Sequence, residues 1–173
     1  MNEKIIIAGS GGQGIMLLGK VLAQAAMEEG KFVSWLPAYG AEVRGGTAHC
    51  SVIISDEEIG SPYIEKADTL IIMNQPSLGK FIKRLKKGGC LIVNSSLVDL
   101  GAGLKAAGHP FTQIAFELGN IKVANMVVAG FLIKKNKTVN LDTVLKVIRN
   151  MAPKGKTDLL KVNEEALKRG SGL

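Results

Sequence analysis

Two glycine-rich segments contain the residues of this chain whose types and spacing are suited to chemistry. The first reads Gly9-Ser10-Gly11-Gly12-Gln13-Gly14 and lies between a strand-like run and a helix-like run. Glycines permit a tight turn at such a place, and free N–H groups at a helix N-terminus attract an anion. The spacing of Gly9, Gly11 and Gly14 also matches the fingerprint of dinucleotide-binding folds. The segment therefore predicts a turn whose backbone contacts a phosphate or a partner.

A complete dinucleotide site needs one more residue, an acid at the end of the second strand, about 20 residues on. Here that strand ends Ser34-Trp35-Leu36-Pro37 and carries no acid. A phosphate-binding P-loop from Gly14 to Lys20 is excluded too, because Val21 stands where Ser or Thr is required. These missing residues argue against a nucleotide site. A stand-alone enzyme that binds a nucleotide at the first glycine turn is kept as an alternative hypothesis.

The second glycine-rich segment lies in a long connection, residues 37–46, that leads into a strand. Connections of that length in compact domains usually have a function. Arg44 would offer a forked cation to a carboxylate or phosphate. The alternative is a local pair between Glu42 and Arg44, worth at most about 1 kcal/mol. The residues that we expect to contact a ligand or partner here are Tyr39, Glu42, Arg44, Gly45, Gly46 and Thr47.

The composition is that of a globular protein. The 173 residues are 46% hydrophobic and 21% charged, with 21 glycines and 5% aromatics, which favours an α/β protein with many tight turns. We expect one domain, residues 1–173. There is no apolar run of about 18 residues to span a membrane, and Ile5 to Ala8 is too short for a signal peptide. These features predict a cytoplasmic protein without a membrane segment.

The charge is unevenly distributed along the chain. Residues 1–79 carry a net charge of −4 and residues 80–173 a net charge of +11. An acidic partner or a phosphorylated ligand would explain the basic half, and a solvated lysine-rich surface would explain it equally well. The run from Lys80 to Lys87 offers one aromatic residue, so a nucleic-acid patch is not expected.

The remaining candidates for chemistry have no convincing partners. His49 and Cys50 are neighbours in a predicted strand, so their side chains should point to opposite faces and should not share a metal. His109 lies in a loop. Cys50 and Cys90 are interpreted as reduced core thiols, and without a CxxC pair the chain should hold no iron–sulfur cluster by itself. We therefore predict no catalytic residue and no metal ligand.

The hydrophobic pattern alternates strands with helices and then becomes helical. The predicted strands are Lys4–Ala8, Phe32–Leu36, Thr47–Ile54, Thr69–Met73 and Cys90–Asn94. The predicted helices are Gly14–Glu29, one from a cap at Asn74-Gln75-Pro76 to a stop at Gly88-Gly89, Thr112–Leu118, Val123–Lys135, Leu141–Asn150 and Lys156–Arg169. This order predicts a three-layer α/β/α Rossmann-like domain with a mostly parallel sheet and a helical C-terminal part.

Several motifs in order along the chain resemble the γ subunit of 2-oxoacid:ferredoxin oxidoreductases. They are Gly11-Gly12-Gln13-Gly14, Tyr39-Gly40-x-Glu42-x-Arg44-Gly45-Gly46-Thr47, Ile59-Gly60-Ser61-Pro62, Asn74-Gln75-Pro76, Ala115-x-x-Leu118-Gly119-Asn120 and Asn125. The likeness is greatest to the 2-oxoglutarate member, with the branched-chain and pyruvate members as alternatives. Where pyruvate members often carry an arginine after the double glycine, this chain reads Ser51-Val52-Ile53-Ile54.

The resemblance implies a role within a larger complex, in which α, β and δ subunits accompany this chain. Such complexes, of the EC 1.2.7 class, use thiamine diphosphate and Mg²⁺ to decarboxylate a 2-oxoacid, and [4Fe–4S] clusters to pass electrons to ferredoxin. The acyl group goes to coenzyme A, which gives succinyl-CoA from 2-oxoglutarate. These cofactors belong to other subunits, so the isolated chain should be inactive. The two glycine turns would face the assembled active site or the phosphates of coenzyme A.

Overall fold

The described residues form a six-stranded sheet with helices on both faces. The computed structural model describes residues 1–38, 47–101, 103–153, 155 and 157–173. The strands are β1 (Asn2–Ser10), β2 (Phe32–Ala38), β3 (Thr47–Ser55), β4 (Ala67–Ile72), β5 (Leu85–Asn94) and β6 (Ala107–His109). The helices are α1 (Ile15–Glu28), α2 (Gln75–Phe81), α3 (Phe111–Glu117), α4 (Ala124–Asn136), α5 (Leu141–Met151) and α6 (Thr157–Ser171). Short 3₁₀ helices cover Ile82–Arg84 and Ile121–Val123.

The sheet is mostly parallel, as predicted. Its strand order is β2-β3-β1-β4-β5-β6. The pairs β1–β4, β4–β5 and β5–β6 are parallel, whereas β3 runs antiparallel to both β1 and β2. The sequence between β2 and β3 is too short for the crossover that a parallel pair requires, so an antiparallel neighbour is the expected result. Only β3 therefore runs against the common direction of the described strands.

The predicted three-layer arrangement is confirmed, because helices pack on both faces of the sheet, as the side chains of β1 show. Successive side chains of a strand point to opposite faces. Ile5 and Ile7 face a large core built with α1, α3, α4, α5 and α6. Ile6 and Ala8 face a smaller core that is closed by α2. The helical C-terminal part thus lies on the same face of the sheet as α1.

The helix that follows β4 is shorter than predicted, so the predicted end at Gly88-Gly89 is wrong. Asn74 caps it as expected, because its Oδ1 accepts a hydrogen bond from the Ser77 amide at 3.3 Å. However, α2 ends at Phe81, and β5 already begins at Leu85, which pairs with Ala67 across an irregularity in the β4–β5 register. Pairing in the sheet therefore overrides the helical spacing of the basic residues. Strand β6 is not among the predicted strands, and His109, which is expected in a loop, is its last residue.

Helix α4 is buried along most of its length and packs on α6 through two glycines. A Cβ atom at Gly130 would overlap the carbonyl oxygen of Leu167 and lie 2.7 Å from the Ser171 amide nitrogen. A Cβ atom at Gly170 would overlap the carbonyl oxygen of Val127. The two helix backbones therefore touch at reciprocal positions where no side chain fits.

We predict that Gly130→Ala lowers the free energy of unfolding by about 3 kcal/mol, because the added methyl must push two backbones apart. Gly79→Ala is the matched control in α2, where a Cβ atom meets nothing within 4 Å among the described residues. Since alanine favours helix over glycine, the control should gain about 0.5–1 kcal/mol. Urea unfolding of both variants measures the difference. Equal stability of the two variants would contradict the close helix contact.

Candidate functional site

The first glycine turn lies at the carboxyl edge of the sheet, where the chain leaves two adjacent strands toward opposite faces. Strands β1 and β4 are parallel neighbours, and α1 follows β1 onto one face while α2 follows β4 onto the other. The chain therefore leaves adjacent strands in opposite directions, which makes this edge a topological switch point. In open α/β sheets, ligands bind at this kind of switch point. The turn from Gly11 to Gly14 stands there.

The side chain of Gln13 folds back into the protein and joins two strand ends. Its Oε1 accepts a hydrogen bond from the Ser10 amide at 2.7 Å, and its Nε2 donates to the carbonyl of Met73 at 3.0 Å. Gly9 makes room for this side chain. A Cβ atom there would lie 2.6 Å from Gln13 Oε1 and 2.9 Å from Met73 Cβ. The first glycine of the fingerprint thus accommodates a side chain of the protein itself.

Gly14 accommodates a second side-chain amide. Its carbonyl accepts a hydrogen bond from Asn125 Nδ2 at 3.2 Å, and a Cβ atom on Gly14 would overlap that same amide. Its φ of 71° is in the left-handed region, where glycine is strongly favoured. Gly14 also caps α1, and its carbonyl accepts the Leu18 amide at 2.9 Å. The last glycine therefore fixes the start of α1 against the start of α4.

The two middle glycines are different, because they are exposed. Among the residues that the structure describes, a Cβ atom at Gly11 or at Gly12 would meet nothing within 4 Å. Gly12 has a φ of 89°, which also favours glycine. The backbone at these two positions is therefore open to an incoming group, whereas the flanking glycines are filled by side chains of this chain.

A third amide, that of Asn94, extends the network to α3. Asn94 is fully buried at the carboxyl end of β5. Its Nδ2 donates to Thr112 Oγ1 at 2.8 Å and to the Met73 carbonyl at 3.4 Å, and its Oδ1 accepts the Thr112 amide at 3.2 Å. The sequence pattern does not single out Asn94 as a site residue. Its only sequence signal is that a polar residue ends an apolar strand.

Thr47 is the one residue of the second predicted contact segment that the structure describes. Tyr39, Glu42, Arg44, Gly45 and Gly46 lie outside the described residues. Thr47 pairs with Ser10 in the β1–β3 register, so it stands beside the first glycine turn.

A lysine reaches the same place. Lys80 Nζ donates to Thr47 Oγ1 at 2.8 Å from the side of α2. The structure therefore brings a cation beside the first glycine turn, from a run that the sequence indicated only as a basic surface.

His49 and Cys50 point to opposite faces of the sheet, as predicted. The ring of His49 packs 4.6 Å from that of Phe81 in the α2 layer. Burial lowers the pKa of His49, and the nearby cations Arg84 and Lys80 lower it further. Cys50 lies in the α1 layer, where burial raises the pKa of its thiol to about 12.

Both cysteines are free thiols in the structure, Cys50 buried and Cys90 half-buried. Within the described ranges, no three metal-ligating side chains form a group. No described helix is both long and apolar enough to cross a membrane. The site is therefore built from glycine backbone, side-chain amides and nearby cations.

Comparison with known proteins identifies relatives along most of the sequence. A family model described as pyruvate ferredoxin/flavodoxin oxidoreductase matches residues 4–173. The 2-oxoglutarate synthase subunit KorC of Methanothermobacter marburgensis is 36% identical over 165 residues, which cover 90% of this chain and 89% of the relative. The ketoisovalerate oxidoreductase subunit VorA of Methanothermobacter thermautotrophicus is 43% identical over 130 residues, 75% of this chain. This chain spans only 27% of the length of that VorA relative.

The fold is also found in solved structures. The keto/oxoacid ferredoxin oxidoreductase gamma subunit from Geobacter sulfurreducens superimposes with a TM-score of 0.83 at 30% sequence identity. The match covers 97% of this chain and 95% of that one. The two chains therefore share one architecture over nearly their whole lengths.

We predict that Gly14→Ala costs about 2 kcal/mol of unfolding free energy, because the methyl group displaces the Asn125 amide and strains a left-handed residue. Gly11→Ala, three residues earlier in the same turn, should change stability by less than about 0.5 kcal/mol. Thermal unfolding of the two variants tests this difference. A large loss for Gly11→Ala would show that its surroundings are filled rather than open.

The two cysteines should differ in reactivity, because the thiolate is the nucleophile. At pH 8 iodoacetamide should modify Cys90 and should leave Cys50 intact until denaturant is added. Mass spectrometry after digestion measures both sites, and Cys90→Ser is the control that should abolish labelling of the native chain. Rapid native labelling of Cys50 would contradict its buried position.

Proposed function

Since this chain belongs to the pyruvate ferredoxin/flavodoxin oxidoreductase family, we propose that it is the γ subunit of a 2-oxoacid:ferredoxin oxidoreductase. The observation that carries the proposal is the match of that family over residues 4–173. A KorC relative and a gamma-subunit structure of similar length add support. On this proposal the chain is a single γ-type domain, residues 1–173, in the cytoplasm, and its partners are the α, β and δ subunits.

The substrate that we propose is 2-oxoglutarate, which the complex converts to succinyl-CoA. The KorC relative supports this choice, because it corresponds to this chain over nearly the full length of both. A branched-chain 2-oxoacid is the second candidate, and the higher identity to the VorA relative favours it. The two candidates differ at the side chain of the 2-oxoacid, carboxylate in one and branched alkyl in the other.

The cofactors of the proposed reaction are assigned to the other subunits. An iron–sulfur cluster requires about four thiolates, and this chain has two cysteines, one of them buried with a pKa of about 12. A [4Fe–4S] cluster therefore does not fit this chain. Thiamine diphosphate with Mg²⁺ supplies the decarboxylation chemistry from elsewhere in the complex, and ferredoxin receives the electrons.

The contribution of this chain is to bind and orient. Exposed N–H groups in a glycine turn before a helix attract a phosphate or carboxylate. Gly11 and Gly12 have that exposure, and Lys80 lies nearby on Thr47. We propose that this turn contacts the coenzyme A phosphates or the partner that surrounds the active site. Arg44, with Glu42, Tyr39, Gly45 and Gly46, is proposed to complete the contact.

Reconstitution tests the proposal. This chain should show no 2-oxoacid-dependent reduction of an artificial acceptor alone, and it should support that activity when it is co-produced with its partner subunits, thiamine diphosphate, Mg²⁺ and coenzyme A. Activity with 2-oxoglutarate should exceed activity with ketoisovalerate and pyruvate. Preference for ketoisovalerate would assign the second candidate.

The Gly11→Ala variant, compared with the wild-type chain in the same reconstitution, tests whether the glycine turn contacts coenzyme A. It should assemble normally and lose at least about tenfold in kcat/KM for coenzyme A, which corresponds to about 1.4 kcal/mol of lost transition-state binding. Activity of the isolated chain would contradict the proposed subunit role. Tight binding of NAD or FAD in calorimetry would instead favour a stand-alone nucleotide-binding enzyme.

A further inference from the structure

At the carboxyl edge, β4 and β5 are joined by side chains instead of backbone. The Ser95 amide, which follows β5, donates to the His109 carbonyl at 2.9 Å and so turns toward β6. The Met73 carbonyl accepts instead from the Gln13 and Asn94 amides, at 3.0 and 3.4 Å. Side-chain amides therefore connect the ends of these strands where the backbone ladder between β4 and β5 stops.

The network is continuous from the glycine turn to α3. It runs from the Ser10 amide through Gln13 to the Met73 carbonyl, and from there through Asn94 to Thr112. Asn94 and Met73 are buried, and a buried polar group is costly when it is left unpaired, so each hydrogen bond of the network restrains the next. A change at Thr112 should therefore reach the turn, although no hydrogen bond between described residues joins the two directly.

We infer that Gln13 and Asn94 are positioning residues that hold the glycine turn in the form that a ligand or partner contacts. Both ends of the Gln13 amide are engaged by backbone groups of this chain. The ligand or partner is therefore expected to contact the exposed backbone of Gly11 and Gly12 rather than the Gln13 side chain. The part of this inference that concerns the ligand rests on the proposed function, whereas the part that concerns the turn does not.

The first test uses the isolated full chain and NMR-detected hydrogen exchange at the Ser10 amide. Gln13→Met keeps the length of the side chain and removes both hydrogen bonds, so exchange at Ser10 should become at least about tenfold faster. Thr112→Val should accelerate the same amide by a smaller factor, because Asn94 loses one of its partners.

Thr69→Val is the matched control at the opposite edge of the sheet. Thr69 is buried, and like Thr112 it hydrogen-bonds to other side chains. Its Oγ1 donates to Glu3 at 2.6 Å and accepts from Asn136 at 2.7 Å. This variant should lose stability like Thr112→Val and leave exchange at Ser10 unchanged. Unchanged exchange at Ser10 in Gln13→Met, or in Thr112→Val, would overturn the positioning role.

The second test measures steady-state kinetics of the reconstituted complex. Gln13→Met should raise KM for coenzyme A about tenfold with kcat within about twofold, since binding is disturbed while the chemistry lies elsewhere. Thr69→Val should leave KM unchanged.

The two tests separate the possible failures. Faster exchange at Ser10 together with an unchanged KM in an active complex would overturn the ligand part of the inference. A wild-type complex without activity would contradict the proposed function, and the exchange data would still decide the positioning role.

Discussion

The carbonyl of Met73 accepts hydrogen bonds from two side-chain amides, and this shared acceptor sets the shape of the carboxyl edge. Gln13 reaches it from the loop after β1 and Asn94 from the end of β5. Neither bond belongs to a backbone ladder, so the strands can separate at their ends without leaving a buried carbonyl unpaired. With the Gln13 amide engaged inside the protein, the exposed groups of the turn are the backbone of Gly11 and Gly12.

Helix α4 also makes hydrogen bonds through a side-chain amide at each of its ends. Its first turn holds the glycine turn through Asn125, and its last residue, Asn136, donates to Glu3 and Thr69 at the amino edge, at 3.1 and 2.7 Å. Burial raises the pKa of the Glu3 carboxyl. Because α6 touches α4 at Gly130, the C-terminal helix packs directly on the helix that holds the glycine turn. Through Asn125, the glycine turn is therefore held by a helix that begins more than one hundred residues further along the chain.

Much of this fold could be predicted from the sequence, because its signals are local. Apolar runs indicated the first five strands, and Asn74 indicated the start of α2. The early start of β5 at Leu85 could not be predicted, since it depends on pairing with Ala67. The same holds for the candidate site. Its glycines were visible, but the partners of Gln13 and Asn125 lie 60 and 111 residues away in sequence.

Of the four glycines in the first turn, Gly9 and Gly14 make room for amides of this chain, and Gly11 and Gly12 are open to an incoming group. A structure of the assembled complex with coenzyme A is the decisive test. We predict that the backbone N–H groups of Gly11 and Gly12 lie within hydrogen-bond distance of the coenzyme or of a partner subunit, with Gln13 still bound to the Met73 carbonyl. A turn that faces bulk solvent in the complex, or a Gln13 side chain that has swung out to hold the ligand, would contradict it.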